Sequence, residues 1–281
     1  MNDSETALAE RLEVAIGLAL QAADEIMRIA KTGVTKSRKA DDTLVTNADH
    51  RSDELIRNGL LDVFPGDGIL TEESGESGIE ESGLVWVVDP LDGTNAFARQ
   101  IAGFSVMIGL LQDNNPVLGV VADPLEGWLY FATAGGGAFG VAPGESKRER
   151  LLVSDRNVSA DMTLVASPGM SSELDSAFIR EFSFKRGHRI NSVGIKVGLL
   201  VRGLSDVYFN HHSVSYWDTV APLAIALEAG AEATMLGGEP FLYDFSNDER
   251  LHHGPSLFTN GTCHEEIRSR ISAIVCGTAF A

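Results

Sequence analysis

From Ser4 to about Lys31, the residues Leu8, Leu12, Ala15, Ile16, Ala19, Ala22, Ala23, Ile26 and Ile29 recur at helical spacing, with acids and Arg11 on the opposite face. The pattern predicts one long amphipathic helix whose apolar stripe faces a core and which ends before Gly33. A basic run, Lys36-Ser37-Arg38-Lys39, and the turn Ala40-Asp41-Asp42 lead to a short strand, Leu44-Val45-Thr46. Asn47 or Asp49 is placed to cap a second helix, carried by Leu55, Ile56, Leu60, Leu61 and Val63 and stopped at Phe64-Pro65-Gly66.

Gly68-Ile69-Leu70-Thr71 reads as a short strand ending in two acids, Glu72 and Glu73, and the Gly75 to Gly83 stretch as a mobile loop. Trp86-Val87-Val88 begins as a buried strand and breaks at once into Asp89-Pro90-Leu91-Asp92-Gly93-Thr94. Two carboxylates three apart, beside a Gly-Thr pair that can open a helix, can hold a divalent cation and seat a phosphate on the next turn's free amides. Phe104 to Leu111, Val117 to Val121 and Trp128 to Ala132, separated by Asp/Asn/Pro/Gly turns, predict hairpin-connected antiparallel strands. The polar stretch from Pro143 to Arg150 marks a boundary between subdomains 1–145 and 146–281. Beyond it, strands at 164–167, 207–209 and 233–235 alternate with helices at 172–182, 193–201, 219–229 and from about Glu265, the rhythm of an α/β fold.

At 281 residues the chain can bury a large core, and 44% hydrophobic with 22% charged residues is neither membrane-like nor disordered. Its formal net charge of −18 repels a nucleic-acid backbone unless a bound metal inverts the local field. Most of the acids read as a solubilising surface. Cys263 and Cys276 are too few for a disulfide framework or a Cys-based zinc site. No apolar run reaches membrane-spanning length, and Met1 to Glu5 lack the positive region of a signal peptide. These features lead us to expect a cytoplasmic protein with neither a membrane nor a nucleic-acid polymer as partner.

Glu72, Asp89 and Asp92 fall at or just after strand ends, where open α/β sheets place ligands. Singly, each can be a solubilising acid; as a set, each follows an apolar strand that fixes its direction. Oxygen donors without nearby His or Cys favour Mg²⁺ or Mn²⁺ over zinc. Asp218, before the apolar helix from Thr219, reads as a helix N-cap or a metal ligand. Asp49 and Thr94 either cap one helix each or pair so that a carboxylate-held hydroxyl orients a water. Adjacent histidines in a strand point to opposite faces, so His211-His212 and His252-His253 are expected at the surface or a substrate rim rather than as chelating pairs. Gly135-Gly136-Gly137 lacks the spacing of a nucleotide fingerprint and reads as a hairpin turn.

The run Asp89-Pro90-Leu91-Asp92-Gly93-Thr94-x-x-Phe97, with Leu70-Thr71-Glu72-Glu73-Ser74 before it and Trp217-Asp218 far downstream, resembles the signature set of the inositol-monophosphatase superfamily. Leu44-Val45-Thr46-x-x-Asp49 and Gly119-Val120-Val121 extend the likeness over nearly the whole chain. The resemblance implies a layered α/β/α/β/α sandwich and a Mg²⁺-dependent, lithium-sensitive phosphomonoesterase, acting as a homodimer on a small phosphorylated metabolite. It implies that Glu72, Asp89 and the Leu91 carbonyl hold one Mg²⁺ and that Asp89, Asp92 and Asp218 hold a second, with a third, weaker ion near Glu72. The phosphate would rest on the amides of Gly93 and Thr94, and Thr94 with Asp49 would orient the attacking water. A second metal-bound water would protonate the leaving alkoxide. With Asp49 and Thr94, Glu72 completes the catalytic set.

Inositol-specific members resemble one another in placing a Glu before the Trp-Asp pair to grip ring hydroxyls; here that region reads Asn210-His211-His212-Ser213-Val214. Lys39-Ala40-Asp41-Asp42 and Lys196 are more similar to the 3'(2'),5'-bisphosphate nucleotidases, where an extra basic group can meet a second phosphate. Lys196 otherwise reads as an exposed helical lysine. Asn210, His211 and Lys196 are thus the expected substrate residues, for an ester of the inositol phosphate or 3'-phosphoadenosine 5'-phosphate class. Histidinol phosphate, a sugar bisphosphate and a non-catalytic regulatory role are the alternatives.

Overall fold

The structure is a computed structural model of the chain and describes residues 3–39, 42–79 and 82–278. Ala40 and Asp41 of the basic motif, and Glu80 and Glu81 of the Gly75 to Gly83 stretch, lie outside the described residues. The chain opens with α1 (Asp3–Thr32), β1 (Lys36–Arg38), β2 (Leu44–Thr46) and α2 (Asn47–Val63). Next come β3 (Gly68–Thr71), β4 (Gly75–Ser77), β5 (Leu84–Asp92), the short α3 (Thr94–Ala98), β6 (Ser105–Gln112), β7 (Asn115–Ala122), β8 (Leu129–Thr133), β9 (Gly137–Val141) and β10 (Glu149–Arg150). The remainder is β11 (Thr163–Ala166), α4 (Ser172–Phe182), β12 (Lys185–Arg189), α5 (Val193–Val201), β13 (Val207–Asn210), β14 (Val214–Ser215), α6 (Val220–Glu228), β15 (Glu232–Met235), β16 (Leu251–His252), β17 (Ser256–Thr259) and α7 (His264–Thr278).

Eight strands in the order β10-β9-β8-β7-β6-β5-β3-β4 form one sheet, parallel only at β3–β5. Five strands, β12-β11-β13-β17-β15, form the second, parallel across β12-β11-β13 and antiparallel beyond. The apolar stripes of α1 and α2, including Ala19, Ile26, Ile56 and Leu60, bury one face of the large sheet against Trp86, Val106, Ile108 and Val120. On its other face, Val87, Met107 and Val121 meet Val197 and Val220 of α5 and α6, which also cover Tyr208 and Phe258 of the second sheet. Phe178 of α4 and Ile267 and Ile271 of α7 close the far side of that sheet on Phe209 and Leu257. Five layers result, because each amphipathic helix has one stripe to bury and each sheet has two faces.

The middle contact is close. A Cβ at Gly119 would lie 2.3 Å from the carbonyl oxygen of Ala221, so only glycine lets α6 pack directly on the large sheet. The Gly135-Gly136-Gly137 run is a hairpin turn between β8 and β9, and the Glu228 carboxylate accepts the N–H of both Gly135 and Gly137 at 2.7 Å. At the start of α2 the cap is Thr46 rather than Asn47, with Asp49 completing the capping box.

One expectation is corrected here. The stretch from Gly75 does not start as a loop: β4 pairs antiparallel with β3, and the Ser74 N–H closes the turn on Thr71 Oγ1 at 2.9 Å. Backbone pairing at a sheet edge needs no apolar side chains, so composition concealed it. The edge strand β12, Lys185-Arg186-Gly187-His188-Arg189, went unpredicted because none of its residues is apolar. No helix among the described residues is long and apolar enough to cross a membrane.

Candidate active site

Asp89 and Asp92 stand three apart in β5, and regular alternation would point them to opposite faces. The pairing shows why they do not. Asp89 lies opposite Met107 and Asp92 opposite Ser105, so three steps on β5 match two on β6. One extra residue makes a bulge at Pro90-Leu91, which restores the parity and turns both acids to the face shared with α5 and α6. Asp89 Oδ1 accepts the Leu91 N–H at 3.0 Å inside the bulge. Asp92 Oδ2 accepts the Ser105 and Ser192 hydroxyls at 3.1 and 2.6 Å and the Gly194 N–H at 3.0 Å, which ties it to the start of α5.

Gly93 then adopts φ +88°, and a Cβ there would lie 2.5 Å from the Gly103 carbonyl oxygen. That left-handed residue starts α3, whose first amides have no partner within the helix. Thr94 donates its hydroxyl to Asp49 Oδ1 at 2.8 Å, while Asp49 Oδ2 accepts the Thr46 N–H and hydroxyl at 2.8 and 2.6 Å. Asp49 thus completes the capping box of α2 and also holds Thr94, while the N-cap of α3 is Gly93 rather than Thr94.

Asp218 sits in the turn before α6 and is not its N-cap; that place belongs to Thr219, which makes no side-chain cap bond. Asp218 Oδ2 instead accepts the Ser215 N–H at 2.8 Å. Its carboxylate converges with those of Asp89 and Asp92, one oxygen from each lying within 4.8 Å of the others. Glu72 lies on the same cleft, and Lys39 bridges it and Glu73 at 2.8 and 2.7 Å. The cleft encloses about 640 Å³ and is lined by Glu72, Asp89, Leu91, Asp92, Gly93, Thr94 and Asp218 from the predicted set. Arg38, Asn191 and Trp217 add to its wall.

Burial raises the proton affinity of Asp89 well above the carboxylate norm, and the charges of Glu72, Asp92 and Asp218 add to it. Asp218 is pushed up to about 7, by burial first and then by Asp92 and Glu72. Burial also lifts Asp92, although its serine and amide donors oppose the shift. For Glu72 burial outweighs the Lys39 ammonium, and the pKa rises. Crowded, desolvated carboxylates of this kind are relieved by a divalent cation.

The expected substrate residues are placed differently. Lys196 is 1% exposed, so its reading as an exposed helical lysine is corrected. Its ammonium donates to Ser167 Oγ at 2.8 Å and the Asn191 carbonyl at 3.2 Å and lies 4.5 Å from the centre of the Tyr208 ring. It stands behind the cleft wall that Asn191 forms, and burial lowers its pKa to about 8. Asn210 is buried, with its amide turned to the His212 carbonyl, and His211 is half-buried near Gly169. None of the three is among the residues lining the cleft. His252 is not at the surface: it packs among Tyr216, Phe241 and Tyr243 with Nε2 3.1 Å from Thr219 Oγ1, while His253 faces solvent. Ser105, Ser192 and Asn191 were missed because serine and asparagine in strands and turns carry no distinguishing sequence signal.

Comparison with known proteins assigns the family. The model of the inositol monophosphatase family matches residues 7–272, so the chain belongs to that family. It is 30% identical over 239 residues to the 3'(2'),5'-bisphosphate nucleotidase CysQ of Aggregatibacter actinomycetemcomitans, covering 83% of this chain and 87% of the relative. It is 32% identical over 268 residues to the histidinol-phosphatase of Mycobacterium tuberculosis, covering 93% and 98%. The fold matches that of a Thermotoga maritima IMPase with a TM-score of 0.81 at 23% identity, over 96% of this chain and 99% of the other. These relatives share one reaction class and differ in the alcohol, and the chain is a phosphoric monoester hydrolase.

Proposed function

We propose that this phosphatase uses Mg²⁺, held by Glu72, Asp89, the Leu91 carbonyl, Asp92 and Asp218, to hydrolyse a small ester of the inositol phosphate or 3'-phosphoadenosine 5'-phosphate class. The observation that carries the reading is the convergence of Asp89, Asp92 and Asp218 beside a Thr94 hydroxyl already held by Asp49. The donor set fits the ion, since hard oxygens without imidazole or thiolate suit Mg²⁺, with Mn²⁺ as an alternative. A related IMPase/NADP phosphatase structure is complexed with Mg²⁺ and phosphate.

When bound, such ions neutralise phosphoryl oxygens and make a water acidic enough to attack near neutral pH. The chain's own part is placement. Because Thr94 gives its proton to Asp49, its oxygen is left to accept from a water and aim that water's lone pair at phosphorus. The amides of Gly93 and Thr94 receive phosphate oxygens at the opening of α3. Lys39 balances the acids at Glu72 and Glu73, and those acids hold its pKa above the usual value even against burial.

Arg38 on the cleft wall favours a substrate with a second anionic group. Two or three ions, inhibition by Li⁺, a homodimer, subdomains at 1–145 and 146–281 and a cytoplasmic location belong to the same reading. Phosphate release from inositol 1-phosphate, 3'-phosphoadenosine 5'-phosphate and histidinol phosphate, with and without Mg²⁺, tests it. We expect Mg²⁺-dependent turnover with the highest kcat/KM on one of the first two. Preference for histidinol phosphate would favour the second reading, which the histidinol-phosphatase relative supports. Metal binding by folded protein without release from any ester would point to a non-catalytic member and overturn the proposal.

A further inference from the structure

Helix α2 turns three polar residues, Asp49, Ser52 and Asp53, onto the face it buries, where Ile56 and Leu60 continue as apolar contacts. A polar group on a buried helix face is destabilising unless it meets a partner. Each of the three meets one on a different segment, in or next to the cleft wall. Asp49 accepts Thr94, Asp53 accepts the hydroxyl of Ser74 just after Glu72 and Glu73, and Ser52 donates to the carbonyl of Pro90 at 2.8 Å.

The Ser52 bond falls on the bulge. Pairing with β3 stops at Val88, and neither Pro90 nor Leu91 has a partner on β6. The bulge therefore leaves the Pro90 carbonyl in the interior without a ladder donor, and Ser52, 0% exposed, supplies one from the opposite layer. That same bulge is what brings Asp89 and Asp92 to one face.

We propose that Ser52 is a positioning residue of the cation site: its hydroxyl pins the bulge carbonyl and so fixes the spacing of Asp89 and Asp92. The inference rests on the metal reading above, but Ser52 itself touches neither ion nor substrate. Loss of such an outer partner typically weakens metal affinity by about 10-fold to 100-fold.

The test is Mn²⁺ binding followed by electron paramagnetic resonance without substrate, on the wild type, Ser52→Ala and Ile56→Val, with a thermal melt of each. Ser52→Ala removes the donor at nearly constant volume, and roughly tenfold weaker Mn²⁺ binding is expected, with more Mg²⁺ needed for half-maximal phosphate release. Ile56→Val trims a buried methyl group from the same helix face, and it should lower the melting temperature while leaving Mn²⁺ affinity at the wild-type value. Equal affinity in Ser52→Ala and wild type, or equal weakening in both variants, overturns the role of Ser52. A wild type that binds no Mn²⁺ overturns the metal reading itself and the inference with it.

Discussion

Among the places where this protein buries carboxylates, two treat them in opposite ways. Asp206, just before β13, is fully buried with both oxygens occupied: Oδ1 takes the Ser154 hydroxyl and Arg156 Nε at 2.9 Å, and Oδ2 takes the Thr163 N–H at 2.7 Å. The Asn260 N–H also donates to the Asp206 backbone carbonyl at 2.9 Å, which ties the end of β17 to the same corner. Asp89, Asp92 and Asp218 face one another instead, and none of the ion pairs among the described residues includes them. A buried acid with its own cation and donors is complete within the chain. On the reading proposed above, three that share a corner of a cleft are completed by a cation from outside, and that difference would separate a structural carboxylate from a functional one.

The contrast is broken most severely by replacing one acid on each side. Asp92→Asn should lower kcat/KM for phosphate release by about a thousandfold, the equivalent of about 4 kcal/mol in the barrier, with little loss of folded protein. Asp206→Ala should do the reverse. Removing it strands Arg156 and the Thr163 amide, so urea unfolding should show a loss of about 3 kcal/mol, while the folded fraction keeps wild-type kcat/KM.

A pH series sharpens the same comparison. Asp218 has its pKa raised from the ordinary 3.8 to about 7, so the folded, metal-free protein binds its proton more tightly than the unfolded chain does. The stability it contributes is complete below the unfolded value and is lost as pH rises through about 7. Ligation by Mg²⁺ removes that loss. The Mg²⁺-induced rise in melting temperature should therefore be larger at about pH 8 than at about pH 5, and equal rises at both would contradict the coupling. The smallest effect concerns Asp89→Asn. By removing a crowded buried charge it should stabilise the metal-free protein by about 1 kcal/mol in urea unfolding.

Most of the architecture was legible because helical spacing survives burial. The stripe from Leu8 to Ile29, and the helices at 172–182 and 193–201, were readable from apolar positions alone. Edges were not, as β4 and β12 show, since a strand exposed on both faces has no alternation to detect. At the site, the acids were visible as residues that break apolar strands, but their convergence was implied only by the family resemblance and not by the strand pattern. Alternation sends Asp89 and Asp92 apart, and only the cross-strand register exposes the bulge that reunites them. Lys196 misled for a related reason: one cation in an apolar helix reads as its wet side, yet here it is sunk onto Tyr208 and Ser167. Ser52 is an ordinary helical serine until its partner, the Pro90 carbonyl, is known.

The central claim is that the corner formed by Asp89, Asp92 and Asp218 is a divalent-cation site for phosphate-ester hydrolysis. Crystals grown with Mn²⁺ and inorganic phosphate, with anomalous scattering recorded at the manganese edge, test it directly. The account predicts a strong anomalous peak among those three carboxylates, with phosphate density beside Thr94. A well-ordered cleft with Mn²⁺ found only elsewhere, or not at all, would contradict it.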